Sequence, residues 1–530
     1  MTIAGKQLIN GEWVDGRGGT YQAIDPSTGA KLDPVLTMAS AEQVTCAVVA
    51  AQEASSAFRH ASLDKRASFL RACADEIMAL GDTLVLRAMA ESGLPRVRIE
   101  GERGRTCGQL NLFADTVLEG TFLDVRIDTA LPDRQPFPRP DLRYMNQAIG
   151  PVVVFGASNF PLAFSAAGGD TASAFAAGCP VLVKGHSSHP GTCELVAQAI
   201  DKAVKSSGLP AGVFSLLMGS GREVGAALVV APEVKAVGFT GSFGGGMALV
   251  ELAAKRKEPI PVFAEMGSIN PVVLLPETLA ANAEKIAEGF VGSLNMGVGQ
   301  FCTNPGLVLA IEGEAMNRFI NRAADCLAQL PAGVMLNEGI QQAYDKNVVA
   351  IASQYGVEKK AIGKDRGDNP GFCGQPTLLT VSAADFIANP ELTEEMFGPA
   401  ALVVKCRDLG EMESAVKGLR GQLTATIHAA EGEMSGYSEL IDLLTQRVGR
   451  ILVNGFPTGV EVCHSMVHSG PFPACTDARF TSVGTAAMNR FLRPVCLQNY
   501  PKELLPEPLQ DNNPLTIWRL VNGKLSKEML

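Results

Sequence analysis

Two short valine-rich runs, "AIGPVVVFGAS" (148–158) and "CPVLVKG" (179–185), are separated by "NFPLAFSAAGGDTASAFAAG" (159–178), a small-residue stretch of helical length that ends in glycine. Strands apolar at consecutive positions are buried on both faces. Neighbouring parallel strands need a long crossover, commonly a helix, so the three segments read as a β-α-β unit. The alternation continues with "GTCELVAQAIDKAVKSSGLP" as a helix stopped by Gly-Leu-Pro and "GVFSLLMG" as a strand. "GREVGAALVVAP" follows as a helix, and "VKAVGFTGS" as a strand entering a glycine-rich turn. The expected architecture is a Rossmann-like, doubly wound α/β domain.

The chain has 530 residues, more than one hydrophobic core usually serves, so two or three domains are expected. Residues 41–120 place apolar and charged positions at helical spacing and read as packed helices. "DTALPDRQPFPRPDLRYMNQ" is proline-rich and reads as an extended arm or edge hairpin. From 261 a second α/β pattern begins with "IPVFAEMG" and "INPVVLLP". The last thirty residues read as a tail over the body, docked through Leu515, Ile517 and Trp518.

Charge and cysteine usage exclude several functions. With 55 acidic and 45 basic residues the net charge is −10. No long basic run offers a nucleic-acid surface. The three cations of "AKRKEP" are read as ordinary helix C-terminal charges. "MTIAGKQLINGEWVDG" has no basic and apolar signal regions, and no stretch gives eighteen apolar residues, so a soluble cytoplasmic protein without a membrane role is expected. Twelve cysteines without a C-x-x-C pair point to reduced thiols and not to a zinc or redox motif.

One cysteine stands apart. "GVGQFCTNPG" (297–306) sets Cys302 among glycines, where backbone N–H groups can face a ligand. "EMGSINP" places Glu265 at a strand end, and "GASNFP" places Asn159 just past another, where its amide can meet developing negative charge. Each has a plainer reading taken singly: a small buried hydrophobe, a cap, a turn residue. His186 with His189, and His464 with His468, are close in sequence, but "CHSMVHSGPFP" reads as a loop, so no metal site is expected.

Together "SNFPL", "VLVKG", "GFTGS", "EMG", "GQFC" and "EEMFGP" resemble, in order and spacing, the aldehyde dehydrogenase superfamily over most of the chain. "KGHSSHPGT", "GQFCTNPG" and "HSGPFPACTD" are similar to the branch of 2-oxoglutarate semialdehyde (2,5-dioxopentanoate) dehydrogenases and NADP-linked bacterial enzymes. The resemblance implies Cys302 as nucleophile, Asn159 with the Cys302 N–H as oxyanion site, and Glu265 as the base that hydrolyses a thioester to an acid. It implies a dinucleotide held by Lys184, His186, Ser187, Gly241, Ser242, Glu395 and Phe397. Ser187 stands where many NAD-preferring relatives carry a glutamate, and Arg222 where NADP-linked ones carry an arginine, which favours NADP over NAD. Plainer readings remain for Lys184 as a strand-end lysine, Glu395 as a solvated carboxylate and Arg222 as a solvent-facing residue.

The implied organisation is a dinucleotide-binding domain (1–125 and 148–260), a catalytic domain (261–484), an oligomerisation arm (126–147 and 485–498) and a tail (499–530). The arm strands would pair between subunits of a homodimer or homotetramer. Two departures from the family pattern, "EMGS" with Ser268 and "PFPA", bear on space beside Glu265 and on the substrate mouth. Alternatives are a medium- or long-chain aliphatic aldehyde as substrate, a cofactor-independent cysteine hydrolase, and a non-catalytic nucleotide-binding scaffold. The hydrolase needs a histidine beside Cys302, and none falls in a motif that would supply it. Arg103, Arg105 and Arg479 are candidate cations for a distal substrate carboxylate.

Overall fold

A computed structural model describes residues 2–530. Its first sheet runs, in spatial order, Val262–Glu265, Ala236–Thr240, Val152–Phe155, Val181–Lys184, Phe214–Leu217, Gln7–Ile9, Glu12–Val14. The first five strands are parallel and the last two antiparallel. Side chains alternate across the pleat, so Val152, Val154, Val181 and Val183 enter one core while Val153, Phe155 and Leu182 enter another on the opposite face. That double burial is why the valine runs are continuous.

A second sheet runs Glu358–Ile362, Thr377–Ser382, Ala400–Cys406, Leu307–Ile311, Pro271–Leu274, Thr424–His428, Arg450–Val453, parallel except for its first strand. It also divides its residues between two cores, with Val273, Leu309 and Val404 on one face and Val272, Val308 and Val403 on the other. Residues 41–120 form the helices Ala41–Arg59, Leu63–Ala79, Gly81–Ser92 and Arg96–Glu119. Ser40 and Gln43 close a capping box on the first, and Phe58, Phe69 and Phe175 meet edge to face with centroids 5.0 to 6.2 Å apart.

Several expectations are corrected. The strand Val262–Glu265 pairs with Ala236–Thr240, so Glu265 sits in the first sheet although the sequence pattern put residue 261 at the start of the second domain. In the segment 159–178 only Gly169–Ala177 is helical. Its first half is turned back by the bond from Ala157 N–H to Phe164 O (2.7 Å), which helps hold Asn159 at the strand end. Residues 485–491 form a 3-10 helix, and the strand is Leu492–Gln498.

That strand pairs along Leu142–Ala148 of the same chain, in a sheet that includes Arg126–Asp128, Arg519–Val521 and Lys524–Ser526. The pairing expected between subunits is therefore made within the chain. In the tail Ile517 is buried and Leu515 packs partly on the core, but Trp518 is half exposed, with the Lys527 ammonium 5.3 Å from its ring centroid.

Candidate active site

Register places the site. Phe155 lies opposite Lys184 and Phe239, and Thr240 opposite Glu265, so four carboxyl ends of the first sheet align. In an open α/β sheet that edge is where ligands bind. It carries Asn159, Lys184, Gly241 and Glu265. The second sheet contributes residues that precede its strands: Asn270, Cys302 and Gly398. Asn270, at φ +45°, donates its amide to Cys302 O and Asn304 O at 2.9 Å each. Asn304 in turn donates to Gly398 O (3.1 Å).

The cysteine loop follows the helix Pro276–Asn295. Gly297, Val298 and Gly299 are all left-handed, with φ of +57°, +57° and +67°. For a β-branched residue such as Val298 this costs about 1–3 kcal/mol. A Cβ on Gly299 would overlap the Gly398 carbonyl carbon. Gly299 thus lets the loop cross the 398–399 backbone. Gly299→Ala is expected to cost about 3 kcal/mol and lower the apparent melting temperature. An unchanged melting curve would mean that Gly398 moves aside freely.

Cys302 is not alone in its reactive group. His468 Nε2 lies 3.3 Å from Cys302 Sγ and 2.9 Å from Glu265 Oε1. The hydrogen bond from this ring nitrogen runs to the sulfur, and Glu265 Oε1, close as it is, has no aligned hydrogen-bond partner among the described residues. Ser482 Oγ donates to the other Glu265 oxygen (2.7 Å), and Thr481 Oγ1 accepts from His468 N–H (2.9 Å). Both His468 and Glu265 are buried. This corrects the reading that no histidine serves Cys302: the residues are 166 positions apart, and only the fold joins them. The three offer ligand-type atoms within 4.8 Å of one another.

Burial and the facing Glu265 carboxylate push the Cys302 thiol well above its ordinary pKa. Burial alone would raise Glu265 too, but His468 and Ser482 hold it below its ordinary value. Asn159 donates one amide hydrogen to Gln300 O (3.0 Å), which fixes its carboxamide beside the cysteine loop. The Cys302 N–H meets no acceptor among the described residues.

Cys302 and Asn159 line a cavity of about 1270 Å³. Lys184, His186, Ser187, Arg222, Gly241, Ser242, Glu395 and Phe397 line it as well. Glu265 does not, lying behind Cys302 at 2% exposure. Lys184 is buried, which lowers its pKa, and no ion pair engages it among the described residues. Ser242 caps the helix Phe243–Ala254, whose first turn opens on the cavity. Free N–H groups there suit a pyrophosphate. Burial pushes the Glu395 carboxyl up to about 7. His186 is neutral because burial lowers it well below its ordinary value. Buried cation, helix terminus and acid together fit a dinucleotide.

The two departures lie elsewhere than expected. Ser268 Oγ bonds Asn270 (2.9 Å) and Gln422 (3.0 Å) and accepts from Leu423 N–H (3.0 Å), supporting the residue that holds Cys302. Ala474 is buried in a small cluster touching Cys302 and accepts from Met266 N–H (2.7 Å), so the last residue of "PFPA" packs beside the cysteine while Phe472 is half exposed.

A model of the aldehyde dehydrogenase family matches residues 13–470. The chain belongs to the aldehyde dehydrogenase family. This aldehyde dehydrogenase is 55% identical over 525 residues to alpha-ketoglutaric semialdehyde dehydrogenase 2 of Azospirillum brasilense, covering 99% of this chain and 100% of that one. It is 47% identical over 524 residues to alpha-ketoglutaric semialdehyde dehydrogenase of Acinetobacter baylyi, covering 99% of each. Its fold matches a Pseudomonas syringae aldehyde dehydrogenase C variant solved with NAD+ and octanal, at TM-score 0.80 and 20% identity over 94% of this chain and 97% of that one. The enzyme is an oxidoreductase that converts an aldehyde to a carboxylic acid with a nicotinamide dinucleotide. Among the described residues no helix is long and apolar enough to cross a membrane.

Proposed function

We propose that this aldehyde dehydrogenase oxidises 2,5-dioxopentanoate to 2-oxoglutarate, preferring NADP. The observation that carries the reading is the 55% identity along the whole chain to an alpha-ketoglutaric semialdehyde dehydrogenase. The Cys302, Glu265 and Asn159 arrangement supports it. The Cys302 thiol, which lines the cavity, gives up its proton to solvent as Sγ adds to the aldehyde carbon and forms a thiohemiacetal. The oxyanion is received by the Cys302 N–H and the second amide hydrogen of Asn159, a type of contact worth roughly 100- to 1000-fold in rate. A nicotinamide dinucleotide held by Lys184, Ser242 and Glu395 in the cavity would supply the hydride acceptor. The thioester left on Cys302 is attacked by water as Glu265 takes a proton, releasing the acid and regenerating the thiol. Steady-state rates with 2,5-dioxopentanoate and with aliphatic aldehydes test the substrate; a preference for the aliphatic ones would overturn it.

Arg222 supports the cofactor preference. It is exposed at the cavity wall, forms no ion pair among the described residues, and faces no carboxylate at position 187. A guanidinium there suits a 2′-phosphate. Arg222→Ala is expected to raise KM for NADP roughly tenfold or more beyond its effect on NAD; equal effects would count against it.

His468 at 3.3 Å from Cys302 is also what a cofactor-independent cysteine hydrolase requires. Ester or thioester hydrolysis without nucleotide, exceeding dehydrogenase turnover, would favour that second reading. We further propose a homodimer or homotetramer built through the outer edge of Leu492–Gln498, the terminal strand of its sheet. Sedimentation tests this assembly.

A further inference from the structure

The helix Arg96–Glu119 turns one polar face toward the reactive cysteine. Arg98, Glu102, Arg105 and Gln109 are spaced 4, 3 and 4 apart, the spacing of a single helical face. Glu102, buried, accepts from Leu162 N–H (2.8 Å) and Ala163 N–H (2.9 Å), in the segment that follows Asn159. Arg98 pairs with Glu102 at 3.4 Å and lies over Phe160 (4.4 Å) and Phe301 (5.0 Å). Arg105 differs. Its guanidinium stands 5.5 Å from the Phe164 ring centroid, Nη2 is buried without a hydrogen-bond partner, and no ion pair engages it among the described residues.

Phe164 leads back to the chemistry. Its ring lies 6.3 Å from that of His468, and His468 lies 3.3 Å from Cys302 Sγ. Phe160, Phe164 and Phe301 form one apolar cluster with Val460, Val462 and Met466. A cation with an unpartnered nitrogen beside apolar walls, joined to the cysteine through Phe164 and His468, suits a short aldehyde whose far end is anionic. The other candidate cations are engaged or distant: Arg103 donates to Gly81 O (3.0 Å), and Arg479 is 82% exposed and pairs with Asp477. Arg450 donates from both terminal nitrogens, to Pro457 O (3.1 Å) and Gly459 O (3.2 Å), and only its Nε is without a partner among the described residues.

We infer that Arg105 is the specificity-determining residue that binds the distal carboxylate of an α-oxo acid semialdehyde, while the phenylalanines cover its methylenes. This rests on the substrate reading above and adds the group that enforces it. Burial lowers the Arg105 pKa, but an arginine remains charged at neutral pH. A desolvated guanidinium gains more from a carboxylate than an exposed one does.

The test compares kcat/KM for 2,5-dioxopentanoate with that for pentanal, which has the same number of carbons and no carboxylate. In Arg105→Met the preference for the anionic substrate is expected to fall about a hundredfold, mainly through KM. Arg105→Lys, which keeps the charge and loses the planar fork, is expected to fall between, and it serves if the methionine variant fails to fold. A wild-type enzyme preferring 2,5-dioxopentanoate whose preference survives in both variants overturns the role of Arg105 alone. A wild-type enzyme preferring pentanal overturns the substrate reading itself.

Discussion

Cys302→Ala is expected to lower aldehyde oxidation by roughly 10⁴- to 10⁶-fold, the range seen when a covalent nucleophile is deleted. The reason is local: Asn159 and Glu265 can hold an oxyanion and activate water, but neither accepts the acyl group. Cys302 is partly exposed and lines the cavity, whereas Cys475, which packs beside it, is buried and its thiol is pushed up to about 12. No neighbouring thiol therefore substitutes. Dinucleotide affinity should persist, because Lys184, Ser242 and Glu395 are on other elements. Mass spectrometry of wild-type enzyme quenched during turnover should place the acyl group on the Cys302 peptide. Oxidation at full rate in the alanine variant, or an adduct on another peptide, would end the covalent reading.

What the sequence revealed of the site and what it hid have separate physical causes. Asn159, Lys184, Gly241 and Glu265 follow short strands, and strand ends in an α/β sheet line up whatever the intervening helices contain. Their convergence was legible because a local pattern implied it. His468 was not legible. It lies in a loop with no periodicity, and its value comes from bonds to Thr481, Glu265 and Cys302 that only tertiary packing creates. The same holds for the placement of Glu265: a strand can be predicted from "IPVFAEMG", but which sheet it joins depends on pairing with Ala236–Thr240, which sequence does not encode locally. Ser268 and Ala474 were misplaced for a related reason, since a family departure marks a position without giving its neighbours.

Glu265→Gln should give a burst of reduced cofactor near one per site, followed by turnover slowed by about 10²- to 10⁴-fold, because acylation precedes the step that needs the base. His468→Ala should reproduce the slow phase at neutral pH for a different reason. In the intact site burial raises the Glu265 carboxyl while His468 and Ser482 lower it, with the net result below its ordinary value, so the base is ionised through neutral pH. Deleting His468 removes a lowering contribution and leaves burial, so the folded pKa moves up and less carboxylate remains at a given pH. Raising the pH restores it. Turnover in His468→Ala should therefore climb on the alkaline side and level off as Glu265 ionises, whereas in Glu265→Gln it should rise only with hydroxide and reach no plateau. If the two variants trace the same profile, His468 does not act through the charge of Glu265, and an undiminished steady state in Glu265→Gln would remove that carboxylate from deacylation altogether.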